Sequence, residues 1–327
     1  MKQGFNYVFV HGLSGWGSYD EINKKRPYWR SGTSDLTVLL SGQGYSCYAA
    51  SVDPTGSAWD RACDLYAQIA GTRVDYGAAH SKKYRHERFG KDFTGNALIP
   101  KWDQDTKLVL LGHSFGGVTV RLFAELLANG DPEEREAGAE DTSDLFTGCM
   151  SNRIHSIVTI ASPTNGTTAY DLYRDPKFHP KEIKAPWWSR KLASSMKEFN
   201  TPKMDGRDER DYANYDMLID SAQALNCRIS NLPEVYYLSI PCAFTNRQKD
   251  GTQRPKKKME PFFVLSSCHM GAYTGKTASG MIIDESWREN DGLVNTVSAM
   301  YPIGAPSKPY EKGCVEPGIW NVFPPYD

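Results

Sequence analysis

The stretch that decides the fold of this chain is Leu108-Val109-Leu110-Leu111-Gly112-His113-Ser114-Phe115-Gly116-Gly117. Its apolar run is of strand-forming type, and a segment with apolar residues at helical spacing follows from 118 to 129. This change of period predicts a strand, a sharp turn and a helix. Glycines at 112 and 116 would let the strand and the helix approach closely around a strained serine. Ser114 is therefore the candidate nucleophile, although Gly-x-Ser-x-Gly also occurs by chance.

Further apolar runs of strand length lie on both sides of this stretch. A strand placed directly after the elbow helix is typical of the βαβ rhythm of a parallel sheet. The chain has 327 residues, enough for one large α/β domain or two small ones, and we favour one domain with a long insertion. The predicted strands are 6–10, 47–52, 108–111, 154–161 and 234–240, and the predicted helices are 36–41, 59–70, 118–129 and 216–226.

Composition excludes several classes of protein. The formal net charge is −1, and no basic run is longer than Lys256-Lys257-Lys258, so nothing indicates a nucleic-acid partner. No apolar segment is long enough to span a membrane, and no signal peptide is visible. Because the first strand begins almost at Met1, we expect the natural N-terminus to be processed. An odd number of cysteines, seven, leaves at least one thiol without an internal partner.

A glycine-rich loop, His11-Gly12-Leu13-Ser14-Gly15-Trp16-Gly17, follows the first strand. In an acyl-transfer enzyme such a loop can direct a backbone N–H towards a developing oxyanion. His11 has two interpretations, a catalytic imidazole or a turn histidine that fixes the loop by hydrogen bonds. We prefer the second.

Residues 74–90 read as a glycine-containing loop with His80 and His86 six positions apart, and Asp60 lies on the preceding helix. Imidazoles and a carboxylate are ligands that zinc accepts. However, histidines among lysines and arginines are more often solvated surface residues. From the residues alone, both interpretations stay open.

Two later stretches bear on function. Residues 170–215 mix aromatic residues with charges and prolines, which favours an amphipathic lid over a cleft but also fits an ordinary helical insertion. The segment Glu289-Asn290-Asp291-Gly292 places an acid in the C-terminal third, as the chain order Ser, Asp, His requires. A plain Asp-Gly turn is the simpler interpretation of that segment.

Six stretches together resemble the bacterial lipases of the thermostable Geobacillus and staphylococcal group, with the related clostridial lipases and polyesterases. They are VHGLSGWG (10–17), WDRACDLYAQIAGTRVDYGAAHSKKYRHERFG (59–90), LLGHSFGGVTVRLF (110–123), IVTIASPTNGTT (157–168), YDMLIDSAQALN (215–226) and ENDGLVNTVSAMYP (289–302). The resemblance implies an α/β-hydrolase fold over 1–327, with a mainly parallel sheet flanked by helices. It also implies a helical lid at about 169–214 and a zinc-binding segment at about 59–90.

The same resemblance implies the site residues. Ser114 would be the nucleophile and Asp291 the acid that orients the histidine. The backbone N–H groups of Leu13 and Phe115 would form the oxyanion hole. A structural zinc ion would be held by Asp60, His80, His86 and Asp216.

The chain departs from the family pattern at the catalytic histidine. In the family this residue follows a Trp-Asn segment, which here is Trp320-Asn321, and the sequence ends at Asp327. None of the seven histidines fits this position. Two of them would bind the metal, and His11 and His113 flank the oxyanion hole and the serine. The remaining three are His155 in a strand, His179 in the lid and His269 in a loop before Asp291. Either the sequence is a shortened form or the histidine comes from elsewhere, and we favour the first. The family's calcium site, which uses the same C-terminal region, would be missing with it.

The implied activity is that of a secreted serine hydrolase of carboxylic esters, of lipase or polyesterase type, acting on lipid or polymer esters and in some cases at an interface. Two alternatives stay open. One is an acyl hydrolase of other specificity, for amides or short soluble esters. The other is a hydrolase-fold binding protein that is catalytically silent.

Overall fold

A seven-stranded parallel sheet flanked by helices forms the centre of the fold. The structure is a computed structural model, and it describes residues 4–32, 34–138, 141–170, 184–189 and 206–327. Much of the lid expected at about 169–214 lies outside the described residues.

The strands and helices are numbered here in chain order. The strands are Phe5–Val10 (β1), Arg30–Ser31 (β2), Ser34–Asp35 (β3), Ser46–Ala50 (β4), Arg73–Asp75 (β5), Phe89–Asp92 (β6), Lys107–His113 (β7), Ile154–Ile160 (β8), Tyr236–Ile240 (β9), Thr245–Arg247 (β10), Gln253–Pro255 (β11), Gly275–Lys276 (β12), Ile282–Ile283 (β13), Ser307–Pro309 (β14) and Trp320–Val322 (β15). The α-helices are Glu21–Lys25 (α1), Leu36–Gly42 (α2), Ala58–Ala70 (α3), Ala78–Tyr84 (α4), Phe115–Asn129 (α5), Pro132–Ala137 (α6), Asp144–Thr147 (α7), Ala213–Asp216 (α8), Ile219–Asn226 (α9), Val264–Met270 (α10) and Thr296–Met300 (α11).

The spatial order of the central sheet is β14-β15-β9-β8-β7-β1-β4, and every neighbouring pair is parallel. Strand β7 lies between β1 and β8, where Leu110 is the register partner of both Val8 and Ile157. All three side chains are buried, as expected for the apolar runs of a parallel sheet covered on both faces. The carboxyl ends of these strands meet at one edge, and Ser114 follows β7 at that edge.

The expected α/β-hydrolase architecture, a mainly parallel sheet flanked by helices, is confirmed. The predicted strands at 47–52, 154–161 and 234–240 correspond to β4, β8 and β9. Of the predicted helices, 59–70 corresponds to α3, and 216–226 is divided between the end of α8 and all of α9.

Helix α3 has strong local reasons to begin and end where it does. The side chain of Ser57 caps its first turn by accepting the N–H of Asp60, and Gly71 ends it in the left-handed region at φ 69°. The helix packs against α5, and its residues from Ala58 to Ile69 are buried, including four polar ones. Buried polar side chains need partners inside the protein, so the four polar side chains of this helix must form hydrogen bonds or ion pairs with neighbouring segments.

The segment predicted as a loop at 74–90 contains more structure than expected. Strands β5 and β6 pair antiparallel at its two ends, and α4 lies between them. His80 is therefore on a helix, and only His86 is in the loop that follows. Arg85 ends the helix in a left-handed conformation at φ 64°, a position that the sequence does not mark with glycine.

None of the helices in the described ranges has the length and apolar character needed to cross a membrane. All seven cysteines are unpaired thiols.

Candidate functional site

Ser114 lies at the turn between β7 and α5 with φ 52° and ψ −129°, a conformation that non-glycine residues rarely adopt. Its N–H donates to the Ile160 carbonyl at 2.8 Å, which holds the turn against β8. A Cβ atom at Gly112 would lie 2.4 Å from the Gly116 carbonyl, and one at Gly116 would lie 2.2 Å from the carbonyl oxygen of Val10. The glycines are thus required by the close approach of the strand and the helix, as the sequence predicts.

Residues 11–15, named the oxyanion loop because they contain the predicted donor Leu13, lie beside the serine. A Cβ atom at Gly12 would be 3.2 Å from the Ser114 hydroxyl oxygen. The loop is closed by a turn in which the Gly15 N–H donates to the Gly12 carbonyl at 3.2 Å, and the Ser14 N–H donates to Pro54 at 2.7 Å. Among the described residues, no acceptor takes the intervening N–H of Leu13.

The second predicted donor, the Phe115 N–H, belongs to the first residue of α5. The N–H groups of the first helical turn have no partner within their own helix. They also lie at the positive end of the helix dipole, where a developing negative charge is stabilised. The two predicted oxyanion donors thus belong to backbone segments on either side of Ser114.

Tyr28 joins the oxyanion loop to the elbow, and the sequence analysis did not single it out. Its hydroxyl accepts the N–H of Gly12 at 3.0 Å and lies 2.6 Å from Nδ1 of His113. Burial lowers the pKa of His113 to about 4, so this imidazole is neutral near pH 7. The only trace in the sequence is the aromatic pair Tyr28-Trp29, which is equally typical of a core.

Ser114 opens on a cavity of about 250 Å³ whose lining is mostly apolar. The apolar lining includes Leu13, Tyr170, Met217, Phe262, Phe263 and Leu293. A serine hydroxyl at the end of an apolar cavity suits a substrate with an apolar group next to the reacting bond.

Asp291 lies on the turn that contributes Leu293 and Val294 to this cavity. Its Oδ1 accepts the N–H groups of Leu293 at 2.9 Å and Val294 at 2.8 Å. Burial raises the pKa of Asp291 to about 6, and the two hydrogen bonds oppose that rise. The acid predicted from the sequence therefore lies close to the cavity in a pre-formed turn, with a carboxylate that is costly to ionise.

The positions of the histidines leave this acid without an imidazole in the described part of the chain. Nδ1 of His11 bonds to the Gly12 carbonyl, which agrees with a turn histidine, and His155 packs between aromatic rings at the start of β8. His269 was expected in a loop, but it lies on α10, with its ring 5.3 Å from that of Tyr273. His179 lies outside the described residues. Within the described ranges, no imidazole hydrogen-bonds to the Ser114 hydroxyl or the Asp291 carboxylate.

A second cluster lies beside α3, where two carboxylates and two imidazoles converge. Its members, whose nearest ligand atoms all lie within 4.8 Å of one another, are Asp60, His80, His86 and Asp211. Nε2 of His80 is 3.2 Å from Asp60 Oδ1 and 3.1 Å from Asp211 Oδ1, and Nε2 of His86 is 3.3 Å from Asp211 Oδ2. The structure thus brings together three of the four predicted metal ligands.

Asp216, the fourth predicted ligand, is replaced in the cluster by Asp211. Its own Oδ2 accepts the N–H of Ala58 at 2.7 Å, so it caps the first turn of α3 instead. The two acids stand at opposite ends of α8, with Asp211 just before the helix and Asp216 at its last residue. Asp211 falls near the end of the lid expected at about 169–214 and Asp216 just after it, and nothing in their spacing separates a ligand from a helix cap.

The imidazoles are oriented by contacts outside the cluster. The His80 ring stacks on Trp59, with ring centroids 4.9 Å apart and planes 8° from parallel. Nδ1 of His86 donates to the Glu87 carbonyl at 2.9 Å, which leaves Nε2 as the free ligand atom facing the cluster.

The donor set fits a divalent cation of the zinc type. Among the described residues, Asp60 Oδ1, His86 Nε2 and Asp211 Oδ2 are buried without a hydrogen-bond partner. Burial raises the pKa of Asp60, and although burial lowers the pKa of His80, hydrogen bonds to Asp211 and Asp60 raise it to about 9. The two buried carboxylates therefore favour a positive charge between them, and a divalent metal ion supplies this charge better than a proton does.

The chain is similar to known proteins both in sequence and in structure. A family described as "Lipase-like, C-terminal domain" matches residues 4–181 and 196–327. Lipase 2 of Staphylococcus aureus is 33% identical over 344 residues, covering 97% of this chain and 48% of that protein. The chain thus spans about half the length of the curated relatives it matches.

Two solved structures are similar over nearly the whole chain. EstA from Clostridium botulinum is 32% identical with a TM-score of 0.83, covering 99% of this chain and 81% of that one. Staphylococcus hyicus lipase is 29% identical with a TM-score of 0.80, covering 99% of this chain and 87% of that one. By its sequence and its fold, the chain belongs to the lipase-like family that includes the staphylococcal lipases.

Proposed function

We propose that this chain is a serine hydrolase of carboxylic esters, of lipase or polyesterase type. The observation that carries the proposal is Ser114, which projects from a strained elbow beside the oxyanion loop and into an apolar cavity. The names of the relatives, lipase and EstA, support the same activity.

In the proposed reaction, Oγ of Ser114 attacks the ester carbonyl carbon while a histidine takes the hydroxyl proton. The carbonyl oxygen becomes negative and is stabilised by the N–H groups of Leu13 and Phe115. The histidine returns the proton to the leaving alcohol, and a water molecule, activated by the same imidazole, then releases the acid and restores the serine. Asp291 would orient the imidazole and stabilise its charged form.

We propose that the imidazole comes from residues that follow Asp327 in a longer form of the protein. The last described residues support this. The Tyr326 N–H donates to Pro241 at 2.8 Å, and its carbonyl accepts the N–H of Ala243 at 2.9 Å, so this segment runs beside Cys242. Burial raises the pKa of Cys242 to about 11, and the charge of Asp291 adds to that rise. The C-terminal segment is therefore directed towards the neighbourhood of the acid.

The cavity favours an ester with an apolar acyl group, and we propose lipid or polymer esters met outside the cell as substrates. The lid expected at about 169–214 would cover this cavity, in agreement with Tyr170 in its lining. Trp187 is 78% exposed and Trp188 is 39% exposed, which provides apolar surface for an interface. A short soluble ester is the second candidate, because the cavity bounded by the described residues is only about 250 Å³.

We also propose a structural zinc ion held by Asp60, His80, His86 and Asp211. Four protein ligands fill a tetrahedral shell and leave no position for substrate, so the ion would neutralise two buried carboxylates and tie α3, α4 and the segment before α8 together. The reaction at Ser114 uses none of these groups.

Turnover of p-nitrophenyl esters tests the proposed activity. The 327-residue chain should be nearly inactive, with only what the oxyanion hole and binding supply, roughly 10³-fold over water. A form extended past Asp327 by its native residues should turn over at ordinary enzyme rates, and the Ser114→Ala variant of that form should not. An extended form that binds esters without hydrolysing them would support a silent binding protein instead.

A further inference from the structure

A buried arginine lies between the two backbone segments that carry the proposed oxyanion donors. Arg61 is fully buried on α3, next in sequence to Asp60. Within the described ranges no carboxylate lies at ion-pair distance from its guanidinium. A buried cation without an ion pair is costly, so its hydrogen bonds must be well made for the chain to keep it.

Three hydrogen bonds take up the guanidinium. Nη2 donates to the carbonyl of His11 at 2.5 Å, and Nη1 donates to the carbonyl of Asp53 at 2.6 Å. Nε donates to the hydroxyl of Thr119 at 2.9 Å, and that hydroxyl in turn donates to the Phe115 carbonyl at 3.1 Å. The guanidinium carbon also lies 5.3 Å from the centre of the Phe115 ring. The Arg61 side chain therefore contacts both the oxyanion loop, at His11, and the start of α5, at Phe115.

The bond to His11 fixes the orientation of the oxyanion loop. In a trans peptide the carbonyl and the following N–H point in opposite directions. Because Arg61 takes the His11 carbonyl, the Gly12 N–H points the other way, to the Tyr28 hydroxyl at 3.0 Å. The His11–Gly12 peptide unit, which directly precedes the unit that carries the Leu13 N–H, is thus held from both ends.

The bond to Asp53 fixes the other side of the loop. Asp53 precedes Pro54, whose carbonyl accepts the N–H of Ser14 at 2.7 Å. Residues on both sides of Leu13 are in this way tied to the same guanidinium, directly at His11 and through the 53–54 peptide at Ser14.

We propose that Arg61 is a positioning residue for the oxyanion hole, holding the backbone on both sides of Ser114 so that the Leu13 and Phe115 N–H groups face the same point. This inference rests on the proposed ester hydrolysis. Arg61 touches no substrate atom and acts only through the two backbone segments. Lysine would not replace it, because a single ammonium lacks the planar fork that reaches two carbonyls and a hydroxyl at once.

The test compares Arg61→Met and Arg61→Lys with Arg121→Met in the full 327-residue chain and in the form extended past Asp327. Arg121 is the matched control, since it is also a buried arginine and it bonds instead to Asn226 at 2.8 Å, away from the oxyanion loop. The first readout is amide hydrogen exchange in residues 11–15. We expect exchange to speed up at least about tenfold in both Arg61 variants, from the loss of hydrogen bonds to a charged group, and to stay unchanged in Arg121→Met.

The second readout is kinetic, with p-nitrophenyl butyrate and active sites counted by burst titration. We expect kcat of the Arg61 variants to fall on the order of 10²-fold, with KM within about twofold of wild type, because a displaced donor acts on the transition state. Arg121→Met should keep the wild-type kcat and KM per active site even if it is less stable.

Unchanged loop exchange, or an unchanged kcat with a loosened loop, would overturn the inference. An inactive wild-type extended form would instead count against the proposed function, and the exchange readout would still decide whether Arg61 holds the loop.

Discussion

Ser114 combines a strained backbone with a position at the opening of an apolar cavity, and both features support its proposed role as the nucleophile. A positive φ on a non-glycine residue costs of the order of 1–3 kcal/mol, which the surrounding structure must supply. Here the Ile160 carbonyl and the tightly packed glycines of the elbow hold it in place. Strain that persists at such a point is typical of a functional site.

Ser114→Ala should abolish ester hydrolysis and leave the fold intact. The hydroxyl is the proposed nucleophile, so turnover should fall by several orders of magnitude. Alanine fits the same backbone without added bulk, so the free energy of unfolding should change by less than about 1 kcal/mol. Initial rates and urea unfolding of the same preparation measure both. Substantial remaining turnover would move the chemistry to another residue.

Asp291→Asn should alter stability in a way that depends on pH. The pKa of Asp291 is raised from 3.8 to about 6, so the folded state holds the proton more tightly than the unfolded state between these values. Stability of the wild-type 327-residue chain is thus lost as the pH rises through about 4 to 6. The amide keeps the oxygen that accepts the Leu293 and Val294 N–H groups and has no charge to bury.

The variant should therefore match wild type at pH 4 and be more stable at pH 7.5, by at most about 3 kcal/mol. Urea unfolding of both proteins at the two pH values measures the difference. A difference that is the same at both values would mean that ionisation of the Asp291 carboxylate does not lower the stability of the folded state.

Residue identities were predicted well where a motif fixes them and poorly where only packing does. Ser114, Asp60, His80 and His86 stand in specific stretches; Ser114 lies at a turn between a strand and a helix, and the other three lie together, while their roles stay predictions. Asp211, which the structure places in the cluster, was not among the predicted ligands because Asp216, five residues later, lies in a similar sequence context. Arg61 was missed because a buried arginine in a helix looks like a surface residue until its partners at His11 and Asp53 are known.

At the scale of elements, α3 connects the two candidate sites. It presents Asp60 to the cluster with His80, His86 and Asp211, and it presents Arg61 to the oxyanion loop. Its first N–H group is capped by Asp216. The helix itself was predictable from its apolar spacing. Its buried polar contacts were not, because they reach residues far away in sequence.

Asp211→Ala and Asp216→Ala should separate the metal ligand from the helix cap. We expect about one zinc per wild-type chain after extensive dialysis, and well below one in Asp211→Ala. Asp216→Ala should keep its zinc and lose about 1 kcal/mol of stability with the bond to Ala58. Elemental analysis of the three proteins measures the zinc content, and urea unfolding measures the stability. Loss of zinc from Asp216→Ala alone would restore the ligand set first inferred from the sequence.

Chelation should lower thermal stability before it affects chemistry. A metal bound only by the folded state stabilises that state, and the cluster shares no side chain with the cavity at Ser114. The melting temperature with and without a strong chelator gives the first effect, and ester turnover at 25 °C by the extended form gives the second. An unchanged melting temperature after the metal is removed would mean that His80 and His86 contribute to stability only through side-chain packing.

For the whole molecule, the sequence predicted the architecture because the signals are local and repeated. Apolar runs alternating with helical segments predict a parallel sheet, and the elbow marks the edge where a site forms. The order of the seven strands is not local, since β9 pairs with β15 across about a quarter of the chain, and only the structure shows it. The short strands β5 and β6 were not predicted, because their charged residues hide the apolar alternation of a strand.

Covalent labelling with a fluorophosphonate, located by peptide mass spectrometry in the form extended past Asp327, tests directly whether Ser114 is the nucleophile. We predict one adduct per chain, on Ser114, with complete loss of ester turnover. The 327-residue form should react far more slowly, because no imidazole in the described part of the chain hydrogen-bonds to the Ser114 hydroxyl. An adduct at any other residue, or a fully labelled Ser114 with turnover retained, would contradict the account.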